Sequence, residues 1–123
     1  MKIGIVIVCY NPDIRTDKLI DNISNDNNYE KIVIVDNSNF RNKKFENLDR
    51  KKFKYIPNCK NLGIAKAQNI GLDYLNSIGL KWAITLDQDT IITYSLSNKY
   101  IKYLDKKEKL DDIGIISTNY YDI

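Results

Sequence analysis

Asp87 and Asp89 stand two residues apart where an apolar run gives way to polar residues, in Leu86-Asp87-Gln88-Asp89-Thr90. Residues two apart in a strand share a face, so both carboxylates would converge as the strand opens into a loop. Carboxylates that close repel each other unless a cation lies between them. Mg²⁺ or Mn²⁺ is typically held by one or two carboxylates together with substrate phosphates, which makes Asp87 and Asp89 candidate metal ligands. The same tripeptide also reads as a polar strand end that caps the next turn. Asp36 closes another apolar run; there a carboxylate can accept from ribose hydroxyls or a base N–H, or shape an Asx-turn with Asn37 and Ser38. Asn61 suits the N-cap of a following helix, and Gly63 lets a ligand approach the backbone. That helix N-terminus offers N–H donors to an anion. Asn69 falls inside the helix, where Asn is mildly unfavourable and asks for a polar reason.

Other chemistries are excluded by composition. The 123 residues include no histidine, so Ser-His-Asp and Cys-His catalysis and His-ligated metals are ruled out. Cys9 and Cys59 form no C-x-x-C pair, and they read as reduced thiols. A net charge of +3, from 19 basic against 16 acidic residues, is too small to argue for nucleic acid. The basic stretch from Arg41 to Lys54 is interleaved with Glu46 and Asp49, which favours a solvated face over a nucleic-acid patch with Phe45 and Phe53 as stacking groups. The apolar run Ile3 to Tyr10 is far shorter than the roughly 20 residues of a membrane helix. With one preceding Lys and Asn11-Pro12-Asp13 after it, it is also a poor signal peptide. A cytoplasmic protein without a transmembrane segment is expected.

The positioning elements follow from periodicity. Ile3–Val8 is apolar throughout, as in a strand covered on both faces of a parallel sheet. Lys31–Val35, Lys54–Ile56, Trp82–Leu86 and Ile113–Ser117 supply four further strand segments. Between them, Asn11 and Pro12 would open a helix carrying Leu19, Ile20 and Ile23 inward. Leu62–Ser77 is the clearest helix, with Ile64, Ala67, Gly71 and Leu75 on one face and Gly79 beyond it. Ser95–Lys109 is another, with Leu96, Tyr100, Tyr103 and Leu104 inward. Asn39–Lys52 reads as loop with a short helix. Strands alternating with helices imply right-handed βαβ units, a mainly parallel sheet with helices on both faces, and one α/β domain over residues 1–123. Ligands of such sheets bind outside the carboxyl ends of the strands. All four of the first strands run into polar or acidic turns at that rim.

Taken in order, Val8-Cys9-Tyr10-Asn11-Pro12, Val35-Asp36-Asn37-Ser38, Asn61-Leu62-Gly63-Ile64-Ala65-Lys66-Ala67-Gln68-Asn69-Ile70-Gly71 and Leu86-Asp87-Gln88-Asp89-Thr90 resemble family 2 glycosyltransferases, most of all the rhamnosyltransferase-type branch. The resemblance spans essentially the whole chain. It implies a GT-A, Rossmann-like fold that binds a nucleotide-activated sugar. Tyr10, Asn11 and Pro12 would line the nucleoside pocket, and Asp36 would contact base or ribose. Asn61, Gly63, Ala67 and Asn69 would border the donor, joined by Gln88. Asp87 would contact the ribose or sugar side and, with Asp89, hold Mg²⁺ or Mn²⁺ on the diphosphate. An acceptor hydroxyl, on a glycan or lipid carrier of cell-surface polysaccharide synthesis, would then attack with inversion, at the inner face of the membrane.

Two departures from the family pattern are Asn39, where Ser is usual, and Gln68, where Arg is usual. Gln68 directs the donor expectation toward dTDP-rhamnose, with a UDP-sugar behind it. The acceptor-binding half and its catalytic carboxylate are expected beyond this chain. Asp111, Asp112 and Asp122 fall too early or at a helix end, so no catalytic base is named. The alternative is a nucleotide-binding module or fragment without transferase activity, in which exposed apolar surface would favour homo-oligomers. A dehalogenase-type phosphatase would place D-x-D on its first strand, and a receiver domain would place acids there; this chain has Cys9-Tyr10-Asn11 instead.

Overall fold

The computed structural model describes residues 1–93 and 95–117. Its elements are β1 (Ile3–Cys9), α1 (Ile14–Ser24), β2 (Tyr29–Asp36), α2 (Lys43–Glu46), β3 (Phe53–Pro57), α3 (Ile64–Ser77), β4 (Ala83–Asp87) and α4 (Leu96–Asp105). The four strands form one sheet in the order β3-β2-β1-β4, and every pairing is parallel.

Strand alternation divides the core into two layers. Ile3, Ile5, Ile7 and Cys9 of β1 and Ile32 and Ile34 of β2 face the layer that also buries Leu19, Ile20 and Ile23 of α1 and Phe45 of α2. Val6, Val33 and Val35 face the opposite layer and meet Ala67 and Leu75 of α3. The isoleucine layer accommodates three helices at a distance, whereas the valine layer draws α3 close. A Cβ built on Gly71 would fall 2.5 Å from a methyl of Val6, and one on Gly4 would fall 2.5 Å from Leu75. Helix α3 therefore lies nearly in contact with the backbone of β1.

Several expected boundaries shift. Helix α1 begins at Ile14, with Asp13 as N-cap accepting from the Arg15 amide. Asn11 is not the cap: it adopts φ 45°, a left-handed turn that Asn tolerates. Helix α3 begins at Ile64 after Gly63, so Asn61 is not its N-cap either. Leu104 is buried on α4 as expected, but Tyr103 is exposed and Ser97 takes an inward position. Segment 113–117 is not a strand. A strand needs a ladder, and the described sheet closes its membership at four; Ile115 is 90% exposed. Asp111 and Asp112 lie in an exposed turn, and Asp122 lies outside the described residues. Cys9 is buried and Cys59 exposed, both as free thiols on segments separated by β2.

Candidate functional site

The register levels the strand ends. Cys9 pairs with Asp36, Asp36 with Pro57, and Val8 with Asp87. Asp36 and the Asp87-Gln88-Asp89 segment therefore share the carboxyl edge, two strand spacings apart, roughly 10 Å. The start of α3 joins them there: the Asn37 side-chain amide donates to the Gly63 carbonyl at 3.2 Å and accepts from Asn58 at 2.8 Å. Asn61 shapes this turn by accepting from the Gly63 amide at 2.9 Å. Gly63 has φ 83° and ψ 160°, backbone space that side chains rarely enter, and no side chain caps α3.

At β2 the site is tightly held. Asp36 is 1% exposed. One carboxylate oxygen accepts from the Ser38 amide at 3.0 Å, the Asx-turn geometry, and the other accepts from the Tyr55 hydroxyl at 2.6 Å. Tyr55 in turn accepts from the Asn42 amide at 2.9 Å and meets the Phe45 ring edge-on at 5.5 Å. Burial, then donation to Asp36, pushes the Tyr55 phenol well above its ordinary value. The Ser38 hydroxyl accepts from the Asn11 amide at 2.8 Å, tying β2 to the turn after β1. Beside this network opens a cleft of about 550 Å³, bounded by Asn11, Pro12 and Asp36 and by Ser38, Phe40 and Lys44. Lys44 spans it to Asp17 of α1 at 3.3 Å.

At β4 the construction is looser. The strand ends at Asp87, and Gln88 and Asp89 form a turn closed by the Thr90 amide on the Asp87 carbonyl at 3.1 Å. The two carboxylates are thus carried by a turn, not by the common face of a regular strand, because the ladder to β1 stops at Asp87. Both are exposed. Asp89 lies 3.5 Å from the Arg15 guanidinium, which also pairs with Asp13 at 2.8 Å. Arg15 holds the Asp13 carboxyl below its ordinary value by hydrogen bonding.

Among the expected donor residues, Asn11, Pro12 and Asp36 border the cleft. Tyr10, half exposed, stands at the edge between β2 and β4. Gln88 turns its amide onto the Tyr10 backbone. Ala67 departs from the expectation: it is wholly buried against Val6, Val33 and Val35, so it packs α3 rather than borders a ligand. Asn69, two residues on, faces solvent, which removes the helix-interior objection to Asn. Ser38 takes the Asx-turn place beside Asp36 that the sequence suggested. Phe40, Asn42, Lys44 and Tyr55 were missed. The signal for the first three was their place in the segment that follows Asp36, at the carboxyl end of a strand; Tyr55 gave none, since it alternates like any strand aromatic.

Exposed carboxylates on the β4 turn, one already facing a cationic group, suit a cation shared with substrate phosphates. Among the described residues no cluster of three His, Cys, Asp or Glu side chains forms an all-protein cage. The fold and site define an α/β protein with a polar, acidic edge at the carboxyl ends of a parallel sheet. The chain belongs to glycosyl transferase family 2, whose family model matches residues 4–122. Among solved structures it is similar to S. aureus TarS, with a TM-score of 0.68 at 17% identity; the match covers 94% of this chain and 23% of TarS. That likeness establishes the fold and places this chain alongside about a quarter of the TarS length. No curated protein sequence matches. Among the described residues no helix is long and apolar enough to cross a membrane.

Proposed function

We propose that this chain forms the donor-binding part of a family 2 glycosyltransferase and holds a nucleoside-diphosphate sugar across its carboxyl edge. The observation that carries the reading is the level edge, which puts Asp36 and the Asp87/Asp89 turn on one side of the sheet. The nucleoside occupies the cleft beside Asp36, Asn11 and Pro12, with Tyr10 next to it. The diphosphate extends over β1 toward β4, where Asp87 and Asp89 would hold Mg²⁺ or Mn²⁺. When bound, that cation stabilises negative charge developing on the departing diphosphate. Asp36 cannot rotate, because both its oxygens are engaged, so it fixes the Ser38 turn at the wall of the nucleoside cleft. Gly63 keeps the α3 end of the edge low, leaving room above the backbone.

Transfer goes with inversion to a hydroxyl of a glycan or lipid-linked acceptor in cell-surface polysaccharide synthesis. The general base belongs to an acceptor-binding part outside these residues. Gln68 on α3, half-buried, favours dTDP-rhamnose as donor. A thermal-shift panel of nucleoside diphosphates and their sugars, with and without Mn²⁺, tests the donor site. A ligand at 100 times its dissociation constant adds about 2.7 kcal/mol of stability. A Mn²⁺-dependent shift with dTDP or UDP is expected; no shift with any nucleotide overturns the reading.

A further inference from the structure

The middle residue of the acidic turn is the better-anchored one. The Gln88 side-chain carbonyl accepts from the Tyr10 amide at 2.8 Å, and its side-chain amide donates to the Tyr10 carbonyl at 3.1 Å. A carboxamide with one donor and one acceptor has thus replaced a backbone residue. It links the two chains just beyond the last ladder pair, Val8 and Asp87, joining Gln88 to Tyr10, two residues past Val8. The bonds join positions 78 apart in the chain.

Two consequences follow. The turn after β1 is gripped from both flanks, by Gln88 at Tyr10 and by the Ser38 hydroxyl at Asn11. That grip supports the left-handed φ of 45° at Asn11. On the other side, anchoring the first central residue of the β4 turn limits how Asp87 and Asp89 can swing about it. Both ends of the carboxamide are committed to backbone, which fixes its orientation and leaves it one N–H and one lone pair.

We propose that Gln88 is a positioning residue that couples the nucleoside side of the edge to the acidic β4 turn, rather than a donor ligand itself. This rests on the donor-site reading above. Gln88→Leu keeps the volume and removes both bonds; Gln88→Glu keeps the acceptor for the Tyr10 amide and, ionised, cannot donate to the Tyr10 carbonyl. Three readouts are combined on each folded variant: hydrogen exchange at the Tyr10 and Asn11 amides, NMR titration with thymidine or uridine, and titration with MnCl₂ alone. In Gln88→Leu the Tyr10 amide exchanges about tenfold faster. Nucleoside and Mn²⁺ affinities each fall by about five- to tenfold, with Gln88→Glu between it and wild type.

Unchanged amide protection overturns the proposal, as does faster exchange with both affinities within about twofold of wild type. Loss confined to dTDP or UDP with Mn²⁺, while Tyr10 stays protected, makes Gln88 a ligand and also overturns it. A wild-type chain that binds no nucleoside, nucleotide or Mn²⁺ fails differently: the donor-site reading falls, and the coupling falls with it.

Discussion

On the β2 side of the edge, Asp36 is buried, both its oxygens are satisfied, and Tyr55, Ser38 and Asn42 form a closed set around it. Two strands away, Asp87 and Asp89 stand in solvent on a turn tied to the body by the two Gln88 bonds to Tyr10 and an exposed ion pair. Burial explains the difference. A buried carboxylate is costly unless every lone pair finds a donor, so the fold must finish that site itself. Exposed carboxylates are completed by water and carry no such requirement. On the proposed reading, the nucleoside end would be ordered before ligand arrives and the cation end would be ordered by the ligand, at an entropic cost paid on binding.

The sharpest break in that contrast comes from Asp89→Asn. It removes a charge from the loose end and touches nothing that supports Asp36. The Mn²⁺-dependent thermal shift with dTDP or UDP, about 2.7 kcal/mol at saturation in the wild type, is expected to vanish. Thymidine binding by NMR should stay within about twofold, because Asp89→Asn leaves both the cleft and the Gln88–Tyr10 bonds in place. Equal loss of both would show that the two ends are one unit.

Tyr55→Phe attacks the ordered end. It strips the donor from one Asp36 oxygen inside the fold, and an unsatisfied buried acceptor costs about 1–3 kcal/mol. Urea unfolding should show that loss, and nucleoside affinity should fall while Mn²⁺ binding holds. If stability is unchanged, water has replaced the hydroxyl and the end is less enclosed than its hydrogen bonds imply.

The same contrast explains what could be read from the chain alone. The Ile and Val runs disclosed β1 and β2 because burial on both faces imposes apolar residues at every position. Asp36 and Asp87 were legible because strand-end acids in a parallel sheet must lie on one edge. Local backbone geometry was harder. Asn11 and Asn61 both look like N-caps, but the cap positions fall two residues later, at Asp13 and Gly63, since Asn11 is used for a left-handed turn and Asn61 for an Asx-turn. Ala67 stood as a rim residue only through the family resemblance; its helical spacing with Gly71 and Leu75 already put it on the inward face, where the structure buries it. Tyr55 and Gln88 act through partners 19 and 78 positions away, which no local pattern encodes.

Alkaline pH sharpens the comparison from beneath the ordered end. Cys9, at the foot of the edge, is pushed up to about 12 by burial and then by the nearby Asp36 charge. A thiol whose folded value lies above its unfolded one stabilises the fold while neutral, and that stability drains as pH rises through the interval between them. Between about pH 9 and 10 the loss should reach roughly 1 kcal/mol in urea unfolding, and Cys9→Ala should flatten it. Native-state thiol titration should report Cys59 alone, and denaturant should reveal Cys9.

The smallest effect is expected at Arg15, which stands 3.5 Å from Asp89 with more than half its side chain exposed. A divalent cation approaching Asp89 meets that guanidinium first, so the two compete for one carboxylate. Exposed pairs are weak, and Asp13 retains Arg15 regardless. Arg15→Gln should therefore tighten Mn²⁺ binding only about two- to fivefold at low salt, and the gain should shrink at high ionic strength. Tightening that survives salt would mean a desolvated contact, and the cation end would then be more enclosed than Asp89 exposure implies. Weakened Mn²⁺ binding would give Arg15 the opposite role, a brace that holds Asp89 in place for the metal. The loose end would then be partly built in advance, and its difference from the Asp36 end would be one of degree.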